Sequence, residues 1–211
     1  MNNIYLLNNI KYEDVINLEV FQINYIKSDI NLEKYDALIF TSKNAIYSID
    51  SFNKQWKEIP SYAIAPKTAK IINEHKGKLS FTGKSSHGNE FAQELLEELK
   101  DKKVLYIRAK EVASDLSSIL KQNNIKIDEL ITYETKCKIG LNTKIKDNSV
   151  IVFTSPSSVK CFFKNYKWNK TLKAIAIGKT TSKHIPQNIN CTVSPTTSID
   201  ECIKLARLVT F

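Results

Sequence analysis

The sequence predicts an α/β protein made of two similar parallel-sheet domains, one inserted in the other and joined by a two-stranded β linker. Three observations predict it. The chain nearly repeats itself: Ala37–Ser51 (ALIFTSKNAIYSIDS) returns as Val150–Lys164 (VIVFTSPSSVKCFFK), and Ala63–Ile72 (AIAPKTAKII) as Ile175–Ile185 (IAIGKTTSKHI). Phe81–Leu95 returns as Thr192–Ala206, and across the three pairs the offset drifts only from about 113 to about 111 residues. So small a drift fits two copies of one domain rather than a solenoid. Second, each matched piece reads as a short β-branched run, a Thr/Ser-rich turn and a helical pattern, the alternation of a parallel sheet covered by helices. Third, the copies are unequal: Phe40 is followed by roughly ninety residues of domain, whereas the copy at Val150 has about sixty. The N-terminal Met1–Ile26 completes the second copy, so the chain crosses twice between domains. The expected boundaries are 1–28 plus 137–211 for the discontinuous domain, 35–130 for the inserted one, and hinges at 29–34 and 131–136. At 211 residues, two domains of about 100 are large enough to hold separate cores.

The elements follow in order. Ile4–Leu7 is a short strand, Tyr12–Asn17 a helical turn or two, and Leu18–Ile26 an alternating strand with one exposed face. Asp36–Phe40 is a continuous apolar run, suited to a strand buried on both faces. Thr41–Ser42 supplies an N-cap to a helix with Ala45, Ile46, Ile49 and Phe52 at helical spacing. Strands at Tyr62–Ala65, Lys78–Thr82 and Val104–Arg108 alternate with helices at Ala69–Glu74, Glu90–Lys100 and Ser114–Gln122. Phe91, Leu95 and Leu99 mark the inner face of the second of these helices; Leu116, Ile119 and Leu120 mark that of the third. Ile125–Thr135 alternates again as a strand, and Cys137–Ser149 reads as an exposed loop. In the second copy, Ser198 and Glu201 have the spacing of a capping box.

Composition excludes several classes. Hydrophobic content of 42% with 25% charged residues is ordinary for a globular protein, and no apolar run is long enough to span a bilayer. The N-terminal MNNIYLLNNIKYED lacks the basic start and long apolar stretch of a signal peptide, so a cytoplasmic location is expected. Cys137, Cys161, Cys191 and Cys202 are widely spaced and are expected as reduced thiols, with Cys161 and Cys202 acting as small buried hydrophobes. His75, His87 and His184 have no ligand spacing, so neither a metal site nor a histidine triad is expected. Net charge is +9, yet only Arg108 and Arg207 among the 31 basic residues are arginine. Sequence-reading nucleic-acid sites lean on arginine forks and aromatic platforms, and neither clusters here. On charge alone the positive field suits a polyanionic small molecule as well as it suits nucleic acid, and the loops must decide between them.

In a parallel α/β sheet, ligands sit beyond the carboxyl ends of the strands, where helix N-termini offer free N–H groups. Those positions hold Thr41, Ser42 and Lys43; Pro66, Lys67 and Thr68; Thr82, Ser85 and Ser86; Arg108 and Lys110. In the second copy they hold Thr154, Ser155 and Ser157; Gly178, Lys179, Thr180 and Thr181; Ser194, Thr196 and Thr197. Helix capping alone explains any one hydroxyl. The set, recurring at equivalent positions in both copies, points to a cleft that binds anions. Neither a P-loop nor a dinucleotide fingerprint is present, so no cofactor is expected, and Glu90, Glu94, Glu97 and Glu98 read as one solvated helix face.

FTSKNAIYSI, AIAPKTAKII, LYIRAKEVASDLSSIL, ELITYET, VIVFTSPSSVKCFF, AIAIGKTTSKHI and TVSPTTSIDECIKLA, in this order, resemble the uroporphyrinogen-III synthase family. The resemblance spans about Asp36 to Ala206. It implies two α/β domains with the active cleft between them, and an enzyme that closes the linear tetrapyrrole hydroxymethylbilane with inversion of ring D and loss of water. It implies a small-molecule substrate, no cofactor, a monomer that binds neither nucleic acid nor membrane, and transient contact with the enzyme that makes the bilane. By resemblance Tyr133 is the candidate catalytic residue, a proton donor to the departing hydroxyl. A strand tyrosine that merely packs is the competing reading. Thr41, Ser42, Lys67, Thr68, Arg108, Ser155, Ser157, Gly178, Thr180 and Thr181 are the candidate substrate-binding residues. The chain departs from the family's pattern at Leu7-Asn8-Asn9, where a Thr-Arg pair is usual, at Ala65 and at Lys179. A two-domain module that binds a small polyanion without chemistry is the alternative function.

Overall fold

The computed structural model of the protein describes residues 3–85 and 87–209. Ser86 and the outermost positions of the predicted discontinuous domain lie outside the described residues. In chain order the first strands are β1 (Asn3–Leu6), β2 (Val15–Asn17), β3 (Phe21–Tyr25), β4 (Ala37–Phe40), β5 (Ser61–Ala63) and β6 (Leu79–Thr82). They are followed by β7 (Lys103–Ala109), β8 (Lys126–Cys137), β9 (Ser149–Phe153), β10 (Lys173–Ala176) and β11 (Cys191–Val193). The helices are α1 (Lys43–Phe52), α2 (Pro66–Glu74), α3 (Gly88–Glu98), α4 (Leu116–Gln122), α5 (Pro156–Asn165), α6 (Lys179–Ser182) and α7 (Ile199–Leu208).

Two compact units result. One contains the residues up to Gln22 and those from Lys136 onward; the other runs from Ile23 to Thr135. Residues 23–28, expected in the discontinuous domain, fold with the second unit, where Ile26 N–H donates to the Thr132 carbonyl at 2.7 Å. The chain passes between units within β3 and β8, which are neighbours in sheet order.

The first unit's sheet has the order β11-β10-β9-β1-β2, and the second's has β3-β8-β7-β4-β5-β6. The N-terminal strand pairs in parallel with β9, with Ile4 opposite Val150, so the start of the chain does complete the C-terminal sheet. In the second unit, β4 pairs in parallel with both β5 and β7. All four residues of β4 are fully buried because the sheet is covered on both faces. Phe40, Ala45, Ile46 and Trp56 form the core on the α1 and α2 side; Phe91, Leu95, Leu116 and Leu120 form it on the α3 and α4 side. In the first unit, Phe153 and Phe162 pack on the α5 side and Val150, Cys202 and Ile203 on the α7 side.

Four expectations are corrected. Tyr12–Asn17 is not helical: Asp14 takes a left-handed conformation (φ 58°), and the β-branched Val15 and Ile16 enter β2 beside β1. The strand expected over Leu18–Ile26 begins only at Phe21, because Leu18 and Val20 turn into the core instead. Ser198 starts α7 without a side-chain cap bond; its hydroxyl leans toward Asp200, and the capping box forms at Ser155 with Ser158. Finally, Cys137 and Cys161 are joined in a disulfide with Cα atoms 5.1 Å apart, because the end of β8 runs against the middle of α5. Cys191 and Cys202 are free, and Cys202 is buried as expected.

Asp50 anchors the underside of the second unit. Its carboxylate meets Lys54 at 2.7 Å, Lys57 at 3.3 Å, His75 at 3.2 Å and the Trp56 indole N–H at 3.1 Å. Burial alone would raise its pKa, but the hydrogen bonds from Lys54, Trp56, His75 and Lys57 outweigh that and hold it down at about 2. A carboxyl depressed in the fold stabilises it above the unfolded value near 3.8, and that stability is lost as pH falls towards 2. Denaturant titrations should therefore lose about 1–2 kcal/mol between pH 4 and pH 2, after allowance for solvent screening. Asp50→Asn should be less stable at neutral pH and lose less over that interval; an unchanged acid profile would remove Asp50 from this role.

Candidate active site

The strand order of the second unit reverses at the junction of β4 and β7, where α/β sheets open a crevice at their carboxyl ends. Thr41 and Ser42 leave β4 there, Arg108 nears the end of β7, and Tyr133 arrives on β8. Ser42 is the N-cap of α1, its Oγ accepting from the Asn44 N–H at 3.2 Å. The Thr41 and Tyr106 hydroxyls are hydrogen-bonded at 2.9 Å. The Tyr133 ring packs in the core with Phe40, Ala45 and Ile46, and only 6% of the residue is exposed. Burial pushes its phenol above the ordinary range, opposed by a hydrogen bond from the Ser42 hydroxyl. Tyr106 is raised by burial in the same way, opposed by Thr41.

A β-bulge aims Tyr133. On β7, the consecutive residues Arg108 and Ala109 face Ile131 and Tyr133 on β8, so Thr132 is the extra residue. In a regular strand Leu130 and Tyr133 would point to opposite faces. Here both pack into the core on the α1 side.

Arg108 has most of its donors committed within its own unit. Its guanidinium pairs with Glu129, and its Nε and Nη2 donate to the carbonyls of Ala109 and Lys110, each at 3.0 Å. It braces the end of β7 beside the bulge, a position that leaves little of it for a ligand.

The second pair of turns is more open. Ala65 precedes α2 and Gly178 precedes α6, and neither helix start receives a side-chain cap. In each, the third residue is a buried threonine, Thr68 at 7% and Thr181 at 3% exposure. Their N–H groups turn back to the Ala65 and Gly178 carbonyls at 3.0 and 3.1 Å. Lys67 and Thr180 are exposed on the same first turns. A Cβ on Gly178 would come within 3.3 Å of the Thr197 methyl, so the bare backbone keeps this turn close to the next loop. The β9–α5 turn of the first unit is closed: Ser155 and Ser158 cap each other's backbone, and Thr154 donates to the Leu7 carbonyl at 2.9 Å. Ser157 stands half-buried on the first turn of α5.

One predicted cradle is already filled. The Glu94 carboxylate accepts from Lys84 N–H at 2.9 Å and Ser85 N–H at 3.3 Å, and Glu90 accepts from the Ser85 hydroxyl. These acids are therefore more than a solvated face, and they occupy the donors that Ser85 was expected to offer an anion. Their i, i+4 spacing opposite a Ser-rich loop was the available signal. Tyr106 and Ser48 were also missed, since each reads in sequence as one more residue of a strand or helix. No grouping of three or more His, Cys, Asp or Glu suited to a metal occurs among the described residues, and no described helix is long and apolar enough to cross a membrane.

Comparison with known proteins gives these features a family. The family described as uroporphyrinogen-III synthase HemD (HEM4) matches residues 14–204. A crystal structure of uroporphyrinogen-III synthetase from Helicobacter pylori superposes with a TM-score of 0.86 at 30% identity, covering 98% of this chain and 99% of that one. A mutant uroporphyrinogen III synthase from Thermus thermophilus shares the fold, with a TM-score of 0.58 at 11% identity over 98% of both chains. The porphyrin biosynthesis protein HemD of Ruminiclostridium josui is 28% identical over 190 residues, which is 82% of this chain. The chain spans only 38% of that relative's length. With its profile matched over most of its length and a fold shared with the solved synthetases, the chain belongs to the uroporphyrinogen-III synthase family.

Proposed function

We propose that the protein is a uroporphyrinogen-III synthase, a cyclising hydro-lyase that converts hydroxymethylbilane into uroporphyrinogen III with inversion of ring D. The observation that carries this reading is the recurrence of one open turn, Ala65–Thr68 and Gly178–Thr181, in the two units. Uncapped helix starts leave first-turn N–H groups for carboxylates, here those of Lys67, Lys179 and Thr180. Thr68 and Thr181, whose N–H groups turn back to carbonyls, offer their hydroxyls; the bilane carries eight carboxylates. Lys67, Thr68, Gly178, Thr180 and Thr181 bind the substrate's acid groups. Thr41, Ser42, Ser155 and Ser157 line the neighbouring strand ends, and Arg108 acts mainly as a brace.

Tyr133 donates its phenolic proton to the ring A hydroxyl, which leaves as water and generates an azafulvene. The substituted carbon of ring D attacks it, and the spiro intermediate fragments and recloses in the opposite orientation. The proton lost when the final pyrrole regains aromaticity restores the phenol, so the reaction balances as bilane to macrocycle plus water. A buried phenol with a raised pKa stays protonated at neutral pH, the form a donor requires. Much of the catalysis lies in holding the two reactive ends in register. A cytoplasmic monomer, with transient contact to the bilane-producing enzyme, accompanies this reading.

Generating hydroxymethylbilane in situ, adding the protein, oxidising the products and separating the isomers tests it. Type III product that increases with protein concentration, with no cofactor added, is expected. Type I alone, the outcome of unassisted closure, would leave only a module that binds a polyanion.

A further inference from the structure

We infer that Ser48 is a positioning residue for Tyr133, because it pins the strand bulge that turns the tyrosine toward α1. The inference rests on the proposed role of Tyr133 and adds a residue to it. Ser48 lies on α1 and is fully buried. Its hydroxyl donates to the Thr132 carbonyl, the residue just before Tyr133 and the extra residue of the bulge. The Ile26 N–H donates to the same carbonyl at 2.7 Å. On the other edge of β8, the Tyr133 carbonyl accepts from Lys110 N–H at 2.9 Å. The hydroxyl of Thr132 is itself buried and finds no partner among the described residues. The bulge is therefore held through main-chain carbonyls, and among the described residues Ser48 is the side chain that holds the Thr132 carbonyl.

The helix also reaches the tyrosine's other end. Ser42, the N-cap of α1, lies at the phenol, so one helix sets both the backbone preceding Tyr133 and the hydroxyl that it carries. Bulges give a strand an alternative register one residue away, in which Tyr133 would face the opposite side. A donor fixed on a helix favours one of the two. Ser48 has no contact with a substrate in this account; it acts through the geometry of Tyr133.

Ser48→Ala suits helix α1 and leaves the Thr132 carbonyl its Ile26 partner, so the variant is expected to fold. Turnover of in situ hydroxymethylbilane should be measured for the wild type, Ser48→Ala, Tyr133→Phe and the double variant. Ser48→Ala should lower kcat about 5- to 20-fold, with KM within about twofold, as expected when proton delivery is misaligned. The double variant should match Tyr133→Phe alone within about twofold, because the positioning has nothing left to position. In fluorotyrosine-labelled protein, the resonance that Tyr133→Phe removes should shift or broaden in Ser48→Ala.

Multiplicative losses in the double variant, or an unmoved Tyr133 resonance, would overturn the inference and leave Ser48 a packing contact. Full turnover in Tyr133→Phe would overturn the catalytic role of the tyrosine, and with it the role of Ser48 in the reaction. The two failures are therefore told apart by the single Tyr133 variant.

Discussion

Replacement of Tyr133 by phenylalanine should lower turnover by roughly tenfold to a few hundredfold while leaving the fold intact. The substitution removes one proton donor and keeps the ring, which packs with Phe40, Ala45 and Ile46. The fall stays on the low side of general-acid effects because a water can take the place of the phenol. Ser42 keeps its bond from Asn44 N–H after the phenol is lost, so the stability cost should stay within about 1 kcal/mol. The effect should fall on kcat more than on KM, since the interaction develops as the hydroxyl departs. Steady-state kinetics beside a urea unfolding curve separate the outcomes. A variant that is unstable yet fully active per folded molecule would make Tyr133 a packing residue.

Trp56→Ala should be the most destabilising single change in the second unit. The indole is fully buried in the short 3₁₀ turn over Gln55–Glu58, meets Phe40 edge-on at 5.5 Å and donates to Asp50 at 3.1 Å. Its far edge is where Gly77 approaches: a Cβ there would lie 2.4 Å from the ring, so backbone and indole are already in close contact. Truncation leaves a large cavity and strips Asp50 of one of its four partners. The expected cost is about 3–5 kcal/mol, read by circular dichroism in a denaturant titration. A loss below about 1 kcal/mol would mean that the neighbouring loops collapse into the space.

Much of the fold was legible because both signals behind it lie in the order and spacing of segments along the chain. The repeat located equivalent strand and turn pairs, and the unequal copy lengths implied that the N-terminal strand completes the other sheet, as its pairing with β9 shows. The misreadings have non-local causes. Val15–Asn17, at the end of the expected helical segment, joins a sheet because β1 offers a free edge, and Cys137 meets Cys161 because a strand end and a helix flank converge. Neither juxtaposition can be read from spacing alone.

The candidate site was legible as a set of turns but not in its division of labour. Sequence placed Ser42, Thr68, Ser155 and Thr181 on comparable turns; structure separates the capped starts of α1 and α5 from the uncapped starts of α2 and α6. Arg108, the one arginine near the site, turns inward to Glu129 and two carbonyls. The bulge at Thr132 leaves no mark in the ELITYET string, since an extra residue in a strand shows only against its partner.

The most direct measurement of the central claim is an amide NMR titration of the protein with uroporphyrinogen III under anaerobic conditions. The largest shifts are expected at Lys67, Thr68, Thr180 and Thr181, in both units, with the amides of Lys84 and Ser85 unmoved because Glu94 already holds them. Shifts concentrated at Lys84 and Ser85, with the starts of α2 and α6 silent, would contradict that claim.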